Sequence, residues 1–198
     1  MIFSMRFILA SQSPRRHDLL SAAGFEFETC PSRAQEGEAT PGEAPAEFAR
    51  RAARLKAMDV ASSSEPGSLV LGADTVVAVN GQVLGKPGGL DDAARMLRLL
   101  SGRTHQVITG VCLVRAPDQV EVLTHETTLV TFRELDENEI RSYTQSGEPF
   151  DKAGGYAIQG LASRFVTRIS GCYFNVVGLP IPLIYDALKR FLKTVASG

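Results

Sequence analysis

One stretch near the middle of the chain is more strand-like than any other: Leu69-Val70-Leu71-Gly72-Ala73-Asp74-Thr75-Val76-Val77-Ala78-Val79. Its nearly continuous run of apolar residues predicts a central strand buried on both faces of a sheet. Asn80-Gly81 follows directly, and this dipeptide is the strongest short signal for a β-hairpin. We therefore expect a return strand over residues 82–84.

The segments on either side alternate between strand and helix patterns. Mixed elements in this order predict an α/β fold, or α+β with a mixed sheet, built as a single domain over residues 1–198. Further strands are predicted at residues 5–10, 25–28, 104–116, 119–133, 156–159 and 164–170, with a turn at Pro117-Asp118. Helices are predicted at residues 14–23, 45–61, 91–100, 136–144 and 180–194.

Composition excludes several classes of protein. Among 198 residues, 21 Lys and Arg face 22 Asp and Glu, aromatic residues make up 7%, and there is no Trp. A nucleic-acid-binding module should be basic, so nucleic acid is not expected as a partner. No stretch is long enough to span a bilayer, and the N-terminus has no signal-peptide pattern, so we expect a cytoplasmic protein without a membrane partner. Three widely separated cysteines predict neither a disulfide framework nor a zinc site.

Two arginines stand at the start of the first predicted helix. Ser13 and Pro14 fit the N-cap and N1 positions, which places Arg15 and Arg16 in the first turn. Cations there oppose the helix dipole, so an external anion such as phosphate would supply the missing negative charge. The alternative is that both side chains extend into solvent or pair with acids elsewhere.

Asp74 interrupts the apolar strand. A buried carboxylate is costly unless it is paired, hydrogen-bonded or bound to a metal, so a functional role is favoured over a structural acid at a strand end. Gly72, two residues earlier, would let a ligand or another backbone approach closely. Lys56 and Lys86 are candidate cations for the same site.

A glycine-rich stretch lies between Asp151-Lys152 and Gln159. Its missing side chains would let a planar ligand lie on the backbone, and a plain loop is the alternative. The sequence contains no Walker A loop, no GxSxG elbow and no HExxH motif. The remaining features, cations around a buried acid, indicate a site for a phosphate ester or a nucleotide.

Five segments, spread over nearly the whole chain and in the same order, resemble the Maf family. They are Ala10-Ser11-Gln12-Ser13-Pro14-Arg15-Arg16, Gly72-Ala73-Asp74-Thr75-Val76-Val77, Gly85-Lys86-Pro87, Ser101-Gly102-Arg103-Thr104-His105 and Asn175-Val176-Val177-Gly178-Leu179-Pro180. The resemblance implies an elongated mixed sheet flanked by helices, with two lobes around a central cleft, related to the inosine triphosphatases. It also implies a nucleoside triphosphate pyrophosphatase, a hydrolase of phosphoric anhydrides that uses a divalent metal, Mg²⁺ or Mn²⁺. A homodimer is compatible with it.

A sixth segment, residues 151–160, is similar to the subgroup that acts on dTTP and UTP. By motif match, Asp74 would be the proton acceptor that activates water. Base specificity would fall to Arg15, Thr75 and Gln159, while Glu36 and Asp74 would hold the metal. The phosphates would be bound by Ser11, Arg16, Lys56 and Lys86, and Lys152 is also expected to contact the substrate.

Two alternative functions stay open at this stage. The first is a pyrophosphatase of the same family with 7-methyl-GTP as its substrate. The second is a non-catalytic nucleotide-binding regulator, for example of cell division, because binding and hydrolysis require the same cations.

Overall fold

The computed structural model describes residues 5–117 and 121–196. A mixed seven-stranded sheet has the strand order β2-β1-β3-β5-β6-β7, and β4 pairs with β3. β1 runs parallel to β2 and β3, and all other pairings are antiparallel. The strands are β1 Phe7–Leu9, β2 Glu28–Thr29, β3 Leu69–Val79, β4 Gln82–Leu84, β5 Thr104–Arg115, β6 Glu121–Phe132 and β7 Val166–Ser170.

Among the described residues, six α-helices flank this sheet, so the predicted α/β class is confirmed. They are α1 Pro14–Ala22, α2 Pro45–Ala61, α3 Leu90–Leu100, α4 Glu137–Gln145, α5 Tyr173–Val177 and α6 Ile181–Ala196. Three short 3₁₀ helices, Glu148–Asp151, Ala153–Gly155 and Leu161–Phe165, connect α4 to β7. Within residues 5–117 and 121–196, no helix combines the length and the apolar character that a membrane crossing requires.

The central strand has the predicted bounds and is buried along almost its whole length. Apolar side chains cover both faces of the sheet. Leu71 and Leu113 pack against α6 through Leu188 and Phe191. On the other face, Val70 packs against the alanines of α2.

Helix α2 lies unusually close to β3 and β5, and two glycines permit this. A Cβ atom at Gly72 would lie 2.2 Å from the carbonyl oxygen of Ala53, and one at Gly110 would lie 2.1 Å from that of Ala49. The close approach predicted at Gly72 is therefore that of a helix backbone. It brings α2 directly over the middle of β3, next to Asp74.

One expectation about the C-terminal half is wrong, and one short helix there was not predicted. Residues 156–159 form no strand. Gly154 and Gly155 have φ values of +66° and +71°, which turn the chain, and the Tyr156 hydroxyl then bonds His105 Nε2 at 2.7 Å. Helix α5 was not expected, because five residues are too few to show a helical period. Asp118, in the predicted turn, lies outside the described residues.

Candidate active site

A single cleft with a volume of about 420 Å³ gathers most of the predicted site residues. That volume is typical of small-molecule sites. Its walls are formed by β3, β4, the start of α1, one side of α2, the loop at residues 36–37, residues 151–159 and the end of α5. The polar lining residues are Ser13, Arg15, Arg16, Glu36, Lys56, Asp74, Thr75, Lys86, Asp151, Lys152 and Gln159.

Two carboxylates that line the cleft share one ammonium group. Lys56 Nζ lies 2.7 Å from Asp74 Oδ1 and 2.6 Å from Glu36 Oε1. Asp74 is 7% exposed, so its carboxylate is largely shielded from water. The close packing of α2 on β3 makes this contact, since Lys56 is carried by α2 and Asp74 by β3.

The pKa values of the two carboxyl groups are shifted in opposite directions. Burial raises the pKa of Asp74 above its usual value, although the charges of Lys56 and Arg16 act against this, and the neighbouring Glu36 adds to it. Burial also disfavours ionised Glu36, but the Lys56 ammonium bonded to it holds the pKa of Glu36 below its ordinary value. A carboxylate with a raised pKa is better suited to accept a proton.

Glu36 and Asp74 also fit a divalent cation. In the described part of the chain, no group of three or more His, Cys, Asp and Glu residues could hold a metal by itself. Mg²⁺ usually takes one or two protein carboxylates and completes its shell with water and substrate phosphates. Glu36 and Asp74 are close enough to bond one ammonium group. They could therefore supply two ligands of a divalent cation whose other ligands are water and substrate phosphates.

Cations also stand along the rest of the cleft. Arg15 lies 3.6 Å from Asp151, which also pairs with Lys152. Lys152 Nζ donates to the Glu148 carbonyl oxygen at 2.6 Å as well. Lys86 is exposed at the cleft, and its ammonium group has no hydrogen-bond or ion-pair partner among residues 5–117 and 121–196.

This arrangement can bind a polyanion and place a buried carboxylate beside it. A family model described as Maf-like protein matches residues 6–191. The chain belongs to the Maf family. The resemblance noted from the sequence motifs is thereby confirmed.

Known relatives are similar to this Maf protein over almost the whole length of both chains. It is 52% identical over 182 residues to a dTTP/UTP pyrophosphatase of Syntrophomonas wolfei, covering 92% of this chain and 95% of that one. It is 50% identical over 186 residues to a dTTP/UTP pyrophosphatase of Koribacter versatilis, covering 94% of each. A solved dITP/XTP pyrophosphatase from Mycobacterium abscessus is 16% identical, with a TM-score of 0.42 over 66% of this chain and 76% of that chain. The sequence relatives, and not this structural similarity, establish the family.

The cleft of this Maf protein contains all but one of the predicted site residues. The exception is Ser11, which is buried behind the cleft wall, where its hydroxyl accepts hydrogen bonds from Arg16 Nη1 at 3.3 Å and from the Ser13 amide at 3.2 Å. Ser13 occupies the predicted N-cap position, but its side chain makes no capping bond. Thr75 lines the cleft, yet its hydroxyl is already engaged by Arg16 and Thr109.

Sequence reasoning missed the apolar part of this Maf protein's cleft and the polar groups behind it. The aromatic and aliphatic lining residues include Phe48, Val77, Val107, Tyr156, Ile158 and Val176. Behind them, Thr109 and Asn175 are fully buried and hydrogen-bonded. The motif that contains Asn175 was the available signal, but a motif does not tell which of its side chains contact other polar groups.

Proposed function

We propose that this Maf protein is a nucleoside triphosphate pyrophosphatase that hydrolyses dTTP and UTP to the monophosphate and pyrophosphate. One observation carries the proposal: a buried carboxylate with a raised pKa, Asp74, lines a cleft that is otherwise rich in cations. The relatives named dTTP/UTP pyrophosphatase support the choice of reaction and of base. A cytoplasmic location and a homodimer stay predictions.

Three cations would hold the triphosphate. Lys56, Lys86 and Lys152 all line the cleft. Negative charge moves toward the leaving pyrophosphate as the α–β bond breaks, so cations that contact the β and γ phosphates favour the transition state. Lys86 is the most available of the three, because its ammonium has no partner to release among the described residues.

Asp74 would orient the attacking water and take its proton as the water oxygen bonds the α-phosphorus. Lys56 keeps the Asp74 carboxylate in place through their 2.7 Å contact. Glu36 and Asp74 would hold Mg²⁺ or Mn²⁺ together with the phosphates, and the bound ion would supply positive charge that offsets repulsion between the triphosphate and these carboxylates.

Recognition of the base would fall to Gln159 and Arg15. Uracil and thymine present two carbonyl oxygens and one N–H, and a Gln amide both donates and accepts hydrogen bonds. Gln159 is exposed and lines the cleft. Thr75 was predicted to share this role, but its hydroxyl would first have to release Arg16 or Thr109.

The test is pyrophosphate release from dTTP, UTP, CTP, dATP, GTP and 7-methyl-GTP, with and without Mg²⁺ or Mn²⁺. We expect metal-dependent release from dTTP and UTP and its loss in Asp74→Asn. Faster release from 7-methyl-GTP than from dTTP and UTP would contradict the proposed substrate and would indicate a 7-methyl-GTP pyrophosphatase of the same family. Binding of nucleotides without any release would indicate a nucleotide-binding regulator and would contradict an enzymatic function.

A further inference from the structure

The guanidinium group of Arg16 is almost fully used by the protein itself. Its Nε donates to the Gly178 carbonyl oxygen at 2.9 Å, and its Nη1 donates to the Ala73 carbonyl oxygen at 2.8 Å and to Ser11 Oγ at 3.3 Å. Its Nη2 donates to Thr75 Oγ1 at 3.0 Å. A guanidinium has five N–H groups, so one is left for a ligand.

These bonds surround Asp74. Arg16 contacts the residue before Asp74 through the Ala73 carbonyl, and the residue after it through the Thr75 hydroxyl. Its second backbone contact, the Gly178 carbonyl, lies at the end of α5 on another wall of the cleft. One buried side chain therefore ties α1, β3 and the end of α5 together at the position from which the Asp74 carboxylate enters the cleft.

A second layer of buried polar groups holds Thr75 from behind. Thr75 Oγ1 lies 2.9 Å from Thr109 Oγ1, which also donates to the Asn175 carbonyl oxygen at 3.4 Å. The Asn175 side chain donates to the Val107 carbonyl oxygen at 2.9 Å and to Thr128 Oγ1 at 3.0 Å. Thr109 and Asn175 are fully buried and do not line the cleft.

We propose that Arg16, held by Thr75, Thr109 and Asn175, is a positioning residue for Asp74 and not a ligand of the substrate phosphates. The inference rests on the proposed pyrophosphatase function. Phosphate-binding arginines commonly present a free planar fork for bidentate contact. Here backbone carbonyls and hydroxyls occupy four of the five N–H groups. Bidentate contact with a phosphate would therefore require Arg16 to release at least one of these bonds.

Positioning and phosphate binding predict different kinetics. A misplacement of about 1 Å at a reacting group costs up to about 100-fold in rate, with little change in ground-state binding. Loss of a phosphate contact weakens substrate binding as well. The two roles are therefore separated by measuring kcat for dTTP and, independently, the Kd of a non-hydrolysable α,β-methylene analogue of dTTP.

The experiment compares Arg16→Lys, Thr109→Val, Thr109→Ser and Lys86→Ala. We expect Arg16→Lys and Thr109→Val to lower kcat about 10- to 100-fold with the analogue Kd within about threefold of wild type. Thr109→Ser keeps the bridging hydroxyl and should retain most of kcat. Lys86→Ala, at a proposed phosphate cation, should weaken analogue binding about tenfold or more.

Three results would overturn the positioning role. One is an Arg16→Lys protein that binds the analogue as weakly as Lys86→Ala. Another is wild-type kcat in both Arg16→Lys and Thr109→Val. A third is equal loss of kcat in Thr109→Val and Thr109→Ser. Circular dichroism melting confirms that each variant is folded, and Thr109→Val provides the isosteric test if Arg16→Lys does not fold. Absence of turnover in the wild type would instead refute the pyrophosphatase function.

Discussion

Lys56 Nζ lies between Asp74 Oδ1, at 2.7 Å, and Glu36 Oε1, at 2.6 Å. This single positive charge lies between two carboxylates, one in a loop and one on the central strand. Without it, two like charges would face each other in a partly buried site, which is unfavourable unless a proton or a metal ion intervenes. The same two carboxylates are the proposed metal ligands. The Lys56 ammonium and a divalent cation would therefore compete for the same carboxylate oxygens.

Replacing Lys56 should therefore change metal binding even without nucleotide. We expect Lys56→Met to bind Mn²⁺ on the order of tenfold more tightly than wild type, equivalent to about 1.4 kcal/mol, as measured by electron paramagnetic resonance of free Mn²⁺. Lys86→Met is the matched control, since Lys86 is also a cleft lysine but contacts neither carboxylate. Equal Mn²⁺ affinity in wild type and Lys56→Met would refute this competition.

Asp74→Asn should separate chemistry from binding. The amide keeps the shape of the side chain but accepts no proton, so pyrophosphate release from dTTP should fall about 100- to 10,000-fold, the range that general base catalysis contributes. The Kd of the methylene analogue should stay within a few fold of wild type. Glu137→Gln, which alters an exposed ion pair with Arg98, is the control. Turnover close to wild type would remove Asp74 as the base.

Gln159→Ala should reduce the ratio of kcat/KM values between different bases more than it reduces kcat/KM for the preferred substrate. A side chain that hydrogen-bonds a base edge contributes to kcat/KM ratios, and its loss should narrow the preference for dTTP over GTP by about tenfold. Gln145→Ala, at the end of α4 and outside the cleft lining, serves as the control. An unchanged substrate profile would exclude Gln159 from base recognition.

His105 makes the folded protein sensitive to acid. Burial lowers its pKa from 6.5 to about 4, so the imidazole is neutral in the folded state at pH 7. Between those two values the unfolded chain binds more protons, and stability therefore falls as the pH drops from 6.5 toward 4. The gap between the two pKa values corresponds to about 3 kcal/mol in the free energy of unfolding.

Urea unfolding at pH 4 to 7 tests this contribution. The His105→Gln protein should lose less stability than wild type across that range, even if it is less stable at pH 7 because the bond to Tyr156 changes. The exposed His17 supplies the control variant, His17→Gln, which removes no buried imidazole. Parallel pH profiles for wild type and His105→Gln would contradict the assignment.

Gly72→Ala should damage the fold and the site together. The added Cβ would lie 2.2 Å from the Ala53 carbonyl oxygen, a backbone atom that cannot rotate away. We expect a loss of at least about 3 kcal/mol in unfolding free energy, since overpacking a core costs about 1 to 3 kcal/mol when neighbours can adjust. Gly88→Ala, where the added atom meets nothing within 4 Å, should be nearly neutral, and a similar melting temperature for both variants would refute the close packing.

Local pattern was sufficient for the elements with a clear period or a clear turn. The central strand Leu69–Val79, the hairpin to β4 and helix α2 have the predicted bounds. The motifs also indicated the family and most of the polar residues that line the cleft. These features depend on neighbours along the chain, or on residue types that a nucleotide site needs, and both are visible in a sequence.

Contacts between distant segments were decided by the tertiary structure. Residues 156–159 were predicted as a strand, but two preceding glycines with positive φ turn the chain, and the Tyr156–His105 bond holds them in the lining of the cleft. Arg16 was expected to bind phosphate, a role that stays untested, but the fold engages its guanidinium with groups up to 162 residues away. A sequence shows which groups can donate and accept. Which of them meet depends on how closely α2 and the sheet pack, and that follows from the balance of burial and hydrogen bonding over the whole chain.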